Sequence, residues 1–148
     1  ENEQMMFVTL FYGVLRLDSG ELRYVNAGHN PPYVLHGDGR AVLLARTGGV
    51  AVAVSEGFAY REGNLRLRPG EQLFLYTDGV TEAFDADGQE YGDARLSTAL
   101  HAALAATDHR PEDIVGHVLA DVHAFERGAP QADDITCVAL RYLGTTNS

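Results

Sequence analysis

Two groups of aspartates at the ends of apolar segments are the residues best suited to carry chemistry. Asp78 directly follows the apolar run 72–77 (QLFLYT), and Asp133 and Asp134 directly precede the run 135–142 (ITCVALRY). If these runs are neighbouring strands of one antiparallel sheet, the end of the first and the start of the second share an edge. Carboxylates that converge there repel each other unless a cation compensates them, and Mg²⁺ or Mn²⁺ prefers such oxygen ligands.

Simpler explanations of the same residues have equal standing at this point. An Asp-Gly pair after a strand is a common turn signal, and an Asp pair before a strand is a common loop. No other metal chemistry competes, because His117 and His123 are six residues apart and face different sides of a helix. The sequence contains no nucleophile elbow, phosphate-binding loop or dinucleotide fingerprint. The spacing of these aspartates alone does not distinguish a metal site from ordinary turns.

Strand patterns make up the first half of the chain. Residues 6–17 form a long apolar and β-branched run, which predicts a strand buried on both faces. Shorter strands, separated by Gly, Pro and Asp turn signals, are predicted at 21–27, 33–36, 41–44, 64–67 and 72–77. The segment 48–55 (GGVAVAVS) fits either a loop or a short strand.

The second half of the chain has helical spacing. Apolar residues recur every three or four positions in 91–106, and a second helix is predicted to begin at Pro111 and end before 128–130. A closing strand follows at 135–142. This order predicts a single α+β domain over residues 1–148, with helices on an antiparallel sheet and a second sheet stacked beneath it. The polar residues after the last strand, 143–148, are expected to fray.

Composition narrows the class of protein. The 148 residues are 45% hydrophobic and 22% charged, which excludes a disordered chain. The formal net charge of −10 disfavours nucleic acids and anionic membranes as partners. No apolar run is long enough to span a bilayer, and the residues at positions 1–4 lack the basic region expected of a signal peptide. The single cysteine, Cys137, predicts a cytoplasmic protein and a small hydrophobic role for that residue.

The amino-acid sequences of three segments resemble those of a known family. Residues 7–32 (FVTLFYGVLRLDSGELRYVNAGHNPP), 73–83 (LFLYTDGVTEA) and 128–140 (GAPQADDITCVAL) are similar to the SpoIIE-type branch of the metal-dependent type 2C serine/threonine phosphatases. The resemblance covers nearly the whole chain. It implies an antiparallel β-sandwich flanked by helices, in an αββα arrangement. It also implies two Mn²⁺ or Mg²⁺ ions whose activated water attacks a phosphoserine or phosphothreonine.

The resemblance also implies roles for individual residues. Asp78 and Asp133 match the family's metal-binding aspartates, and Asp134 matches the adjacent position of a weaker ligand. Gly79 would leave space for metal-bound water. His29 and Asn30, in the Gly-His-Asn-Pro turn, would lie near the same edge and contribute to substrate binding. For these two residues, hydrogen bonds that only stabilise the turn are the alternative that we favour.

One departure from the family affects both metal binding and solubility. The family begins with a Gly-Gly-Asp-x-x-Asp segment that supplies further metal ligands, whereas this chain starts downstream of it. Metal binding by the isolated chain is therefore expected to be weak or absent. The family helices that cover one sheet would also be missing, which predicts an exposed apolar face. Unless another segment covers this face, we expect a homodimer, exchange of a strand or domain between copies, or poor solubility.

The resemblance implies a substrate and a setting in the cell. The usual substrate of the family is a phosphorylated anti-sigma-factor antagonist, and the domain often follows a sensor or receiver domain in the same chain. The alternative for this chain is a catalytically incomplete module that binds a partner protein without turnover.

Overall fold

The computed structural model describes residues 7–52, 54, 57–131 and 133–145. Within these ranges the chain forms seven strands and three helices. The strands are β1 (Leu10–Leu15), β2 (Glu21–Ala27), β3 (Tyr33–Leu35), β4 (Ala41–Leu43), β5 (Gly63–Arg66), β6 (Gln72–Tyr76) and β7 (Cys137–Arg141). The helices are α1 (Asp78–Thr81), α2 (Gly92–Ala106) and α3 (Pro111–Glu126). This order confirms the predicted α+β class.

The strands pair into two antiparallel sheets. One sheet has the order β1-β2-β5, and the other has the order β4-β3-β6-β7. The hairpin between β1 and β2 turns at Gly20, whose φ of +74° is in the left-handed region that favours glycine. The turn is closed by the N–H of Gly20, which donates to the carbonyl of Arg16 at 2.8 Å. Both hairpins, β1–β2 and β3–β4, lie where the sequence predicts them.

Two apolar cores join the layers of the molecule. Between the sheets, Leu22 of β2 packs with Val34 and Leu73 of the four-stranded sheet. On the opposite face of that sheet, Phe74 and Tyr33 pack against the buried stripes of α2 and α3. The central strands β3 and β6 are consequently buried on both faces. The second, stacked sheet that the sequence predicts is therefore confirmed.

The helices begin and end close to their predicted bounds. Pro111 opens α3, where its missing N–H costs nothing, and Glu112 and Asp113 lie favourably in the positive first turn. Arg127 follows the last turn with a φ of 50°. The predicted apolar stripes are buried at Leu96, Leu100, Ala103 and Leu104 of α2 and at Ile114, Val118 and Val122 of α3.

The prediction that the first strand is buried on both faces is wrong. β1 is an edge strand, and the side chains of Leu10, Tyr12 and Val14 on its outer face are 47%, 60% and 50% exposed. Phe11 and Leu15, on the inner face, pack against the core between the sheets. No element in the described part of the chain covers the outer face. This arrangement is the exposed apolar face expected from the sequence.

The remaining segments are irregular in their described parts. Residues 48–52 form a loop rather than a strand, with one isolated antiparallel bridge between Val52 and Val8. Residues 143–145 follow β7 without regular structure, and 146–148 lie outside the described ranges, so fraying of the tail stays a prediction. No helix among the described residues is long and apolar enough to cross a bilayer.

Candidate active site

Thr77 holds together the two segments that carry the aspartates. It follows β6 and precedes Asp78, and its N–H donates to the carbonyl of Thr136 at 3.1 Å. Its hydroxyl donates to the carbonyl of Asp134 at 3.0 Å and accepts the N–H of Thr136 at the same distance. The end of β6 and the start of β7 therefore share one edge of the sheet, as the sequence predicts. We call this the aspartate edge, defined by Asp78, Asp133 and Asp134.

Gly79 allows the two backbones at the aspartate edge to touch. It is buried, and a Cβ at its position would lie 2.5 Å from the carbonyl oxygen and 2.9 Å from the carbonyl carbon of Asp134. Real Cβ atoms do not approach backbone so closely, so any side chain would push the two segments apart. A glycine here is thus needed for the approach of the chain segments, whatever else occupies the edge.

The carboxylates of the aspartate edge are exposed, and two of them make local hydrogen bonds. Asp78 Oδ1 accepts the N–H of Gly79 at 3.1 Å, and Asp133 Oδ1 accepts the N–H of Asp134 at 2.7 Å. Both carboxylates retain lone pairs for a hard cation. However, no group of three or more His, Cys, Asp or Glu arranged to hold a metal ion occurs in the described ranges. The donors fit Mg²⁺ or Mn²⁺ in chemistry but form a partial set.

His29 and Asn30 directly precede β3, at the end of the four-stranded sheet where β6 ends. In the β3–β6 pair, Tyr33 is opposite Phe74, so residues just before β3 lie beside those just after β6. The local hydrogen bonds are those of a stabilised turn: Asn26 Oδ1 accepts the N–H of His29, and Asn26 Nδ2 donates to the His29 carbonyl, both at 2.8 Å. The His29 ring contacts the Thr9 hydroxyl at 3.2 Å. A substrate-binding role for these residues stays a prediction.

Sequence reasoning missed Arg46, which follows β4 at the same end of the sheet. Leu44 continues the hairpin because its N–H donates to the Pro32 carbonyl at 2.7 Å. The chain beyond it reaches a cavity of about 200 Å³ that it shares with His29 and Asn30. The lining residues are Asn26, Gly28, His29, Asn30, Arg46, Thr47, Gly48 and Gly49. The Gly48-Gly49 pair after a predicted strand is the one signal in the sequence that marked this loop.

Burial shifts the acidities of two side chains near the aspartate edge. It raises the pKa of the Tyr76 hydroxyl, as do the charges of Asp93 and Tyr33, and the positive charge of Arg46 acts in the opposite direction. Burial also raises the pKa of the Cys137 thiol to about 11. The thiol is therefore protonated at neutral pH and is neither a ready nucleophile nor a metal ligand. This agrees with the hydrophobic role predicted for Cys137.

These features define the class of protein. Two stacked antiparallel sheets with helices on one outer face are a fold that this chain shares with solved phosphatase domains. The phosphatase domain of the cell fate determinant SpoIIE from Bacillus subtilis, from crystals presoaked in manganese, superimposes with a TM-score of 0.71 at 18% identity. The match covers 95% of this chain and 59% of that one.

The family follows from the sequence. Residues 1–143 match the model of the family described as Stage II sporulation protein E (SpoIIE), and the chain belongs to that family. Protein IcfG of Synechocystis is 35% identical over 142 residues, which are 93% of this chain and 21% of IcfG. Phosphoserine phosphatase RsbU of Bacillus subtilis is 28% identical over 83 residues, 56% of this chain and 25% of RsbU. The chain thus spans a quarter or less of these curated relatives.

Proposed function

We propose that this chain is a protein phosphatase domain that hydrolyses phosphoserine or phosphothreonine with divalent cations held by Asp78 and Asp133. The observation that carries the proposal is the contact between Gly79 and the Asp134 backbone, which brings the two aspartate-bearing segments together. The fold is that of phosphatase domains, and the relative RsbU is named a phosphoserine phosphatase, which supports the class of reaction.

The residues of the aspartate edge have distinct parts in this proposal. Asp78 and Asp133 hold the ions, Asp134 adds a weaker oxygen ligand, and Gly79 lets the backbones of the two segments approach each other. When bound, Mn²⁺ or Mg²⁺ supplies the Lewis acidity that lowers the pKa of a coordinated water. Thr77 keeps the two segments at a constant separation through its three hydrogen bonds. Since Mg²⁺ takes about six oxygen ligands, three carboxylates alone bind it weakly, and water or a further segment supplies the rest.

The substrate that fits the family is a phosphorylated anti-sigma-factor antagonist in the cytoplasm. Hydrolysis would let the antagonist capture an anti-sigma factor and so release a sigma factor. An upstream sensor or receiver domain in the parent chain would control this step. The resemblance to the SpoIIE-type phosphatases supports this assignment, together with the relative RsbU.

The proposal is tested by hydrolysis of an aryl phosphate across a manganese titration. The expected result is metal-dependent turnover that falls at least about 100-fold in Asp78→Asn and in Asp133→Asn, because each variant removes a charge that faces the reacting centre. Asp108→Asn is the matched control: Asp108 is exposed and adjoins His109, whose carbonyl accepts from Gln72 at the opposite edge of the sheet. It should keep full activity.

Two other outcomes would count against the proposal. Equal activity in all three variants would show that the aspartate edge takes no part in the reaction. No turnover at any manganese concentration, in a chain that also carries its upstream segments, would favour the alternative of a module that binds a partner without turnover.

We also propose that the outer face of β1 pairs with a second copy of this chain. Its apolar side chains Leu10, Tyr12 and Val14 form a continuous exposed row. Single exposed apolar residues are normal on a protein surface, whereas a contiguous apolar patch indicates an interaction site. Sedimentation should show a dimer that Tyr12→Lys converts to monomer. Leu143→Lys, at a residue 76% exposed elsewhere on the surface, should leave the dimer intact. A strictly monomeric parent chain would contradict the proposal.

A further inference from the structure

An arginine lies at the same sheet edge as the aspartates. The registers place Leu43, Tyr33, Phe74 and Ala139 in one row across the four-stranded sheet. Three residues beyond this row, in the direction of the edge, the chain has left the strands, and the corresponding residues are Arg46, Asn30, Thr77 and Thr136. Neighbouring strands are about 4.8 Å apart, so extending this spacing beyond the paired residues places the Arg46 backbone about 10 Å from that of Thr77, which directly precedes Asp78. An arginine side chain spans most of that distance.

The loop that carries Arg46 is anchored on both sides of it. The Tyr24 hydroxyl donates to the carbonyl of Ala45 at 3.1 Å, and the N–H of Asn26 approaches the Thr47 hydroxyl at 3.4 Å. Gly49 lies so close to Asn26 that any side chain would overlap the Asn26 carbonyl oxygen. Arg46 is therefore held by contacts to β2 and does not sit at the tip of a free loop.

The positive charge of Arg46 is not neutralised by an ion pair with any described residue. Four other exposed arginines are matched by carboxylates: Arg16 pairs with Asp18, Arg23 with Glu62, Arg40 with Asp38, and Arg110 with Asp113. Arg61, Arg68 and Arg127 are exposed and, like Arg46, form no ion pair among the described residues, so the position of Arg46 beside the cavity at the sheet edge is what distinguishes it. In the described part of the chain, Arg46 forms no ion pair or side-chain hydrogen bond, although it faces a cavity of about 200 Å³. The backbone on both sides of Arg46 is anchored, and its guanidinium lines an open cavity, so it is available to a ligand.

We infer that Arg46 binds the phosphoryl oxygens of the substrate at the aspartate edge, with the Asn30 side chain beside it in the same cavity. The inference rests on the proposed function, which supplies the phosphate ester. Carboxylates at the edge repel a phosphate dianion, whereas the planar guanidinium binds two of its oxygens at once. Arg46 thus acts on binding and orientation of the substrate, while the aspartates act through the metal.

The first test measures binding of inorganic phosphate to the full chain by calorimetry without metal. Arg46→Ala should weaken binding about 10- to 100-fold, since hydrogen bonds to charged groups contribute about 1.5–3 kcal/mol. Arg46→Lys should restore part of the loss, because it keeps the charge but not the bidentate geometry. Arg68→Ala is the matched control: Arg68 is also exposed, but it lines a different cavity with His36 and Glu71. It should bind phosphate like the parent chain.

The second test separates this inference from the proposed function. With an aryl phosphate, Arg46→Ala should raise KM and leave the manganese concentration for half-maximal activity unchanged, whereas Asp78→Asn should abolish the metal dependence. If the unsubstituted chain has no turnover even when it carries its upstream segments, the proposed function fails, and phosphate binding still decides the role of Arg46. Binding that is equal in the parent chain and Arg46→Ala, or equally lost in Arg68→Ala, would overturn the inference.

Discussion

The two sheets of this molecule differ in how they are covered, although both are built from apolar strands. Phe74, on the helix-facing side of β6, is fully buried, whereas Tyr12 on the outer face of β1 is 60% exposed. In the sequence, the runs that become β6 and β1 have similar hydrophobicity. The difference shows that burial depends on which layers are present on each side of a strand. The aspartate edge belongs to the better-covered sheet, where packing holds the site residues in place.

The largest expected effect contrasts these two aromatic residues directly. Phe74→Ala should lower the free energy of unfolding by about 3–5 kcal/mol, because it leaves a cavity between the four-stranded sheet and the helices. In the monomer, at protein concentrations where the proposed dimer dissociates, Tyr12→Ala should change it by no more than about 0.5 kcal/mol, as expected for an exposed site. Urea denaturation of both variants measures the contrast. Similar losses in the two variants under these conditions would mean that the outer face of β1 is buried within the monomer.

A smaller loss of stability is expected for a substitution at the aspartate edge, which belongs to the sheet that is covered on both faces. Gly79→Ala should destabilise the protein by about 1–3 kcal/mol, because the added methyl group overlaps the Asp134 carbonyl and overpacking of this kind has that cost. It should also reduce metal-dependent activity, since the two aspartate segments are forced apart.

Gly116→Ala provides the control for that prediction. Gly116 lies within α3 with open space around its Cβ position, so alanine there should stabilise the protein by about 0.5–1 kcal/mol. Thermal unfolding of both variants is the measurement. A stable and fully active Gly79→Ala would show that the close approach at the aspartate edge is not required.

The last prediction concerns the pH dependence of stability that arises from Cys137, on the helix-facing side of β7. Burial raises the pKa of the Cys137 thiol to about 11, above the value near 8.5 of an unfolded cysteine. The unfolded chain therefore loses this proton first as pH rises. The contribution of Cys137 to stability should be complete below about pH 8.5 and decrease as pH rises toward 11.

Two measurements check this pH dependence. Denaturation midpoints from pH 7 to 11 should fall less steeply in Cys137→Ala than in the parent chain, while the tyrosines contribute equally to both. Alkylation of the folded protein by iodoacetamide should accelerate only as pH approaches 11. An alkylation midpoint near 8.5 would show that the helix-facing side of β7 is open to solvent.

Local pattern was sufficient for much of the fold. The predicted strand 21–27 and the start of the second helix at Pro111 agree with the structure, because alternation, capping residues and turn glycines act over a few positions. The shared edge of Asp78 and Asp133–134 was also predictable, because it follows from antiparallel pairing of two adjacent apolar strands. The metal-binding role of these aspartates came from family resemblance and stays a proposal.

Other features depended on contacts between distant parts of the chain. The four-residue α1 had no separate signal, since its Asp-Gly start is equally typical of a turn. Arg46 could not be placed at the aspartate edge without knowing that β4 lies beside β3 and β3 beside β6. Sheet order brings together residues that are far apart in sequence, and no local pattern encodes it.

The sequence by itself therefore determined the elements, the class of fold and the acidic residues of the edge, because these follow from periodicity and residue chemistry. Only the tertiary structure decided that β1 is exposed on one side, that Gly79 must be a glycine, and that Arg46 faces the cavity beside His29 and Asn30. Each of these depends on which surfaces meet after folding. A strand's hydrophobicity or a residue's charge specifies what it can contact, and the packing of the layers specifies what it does contact.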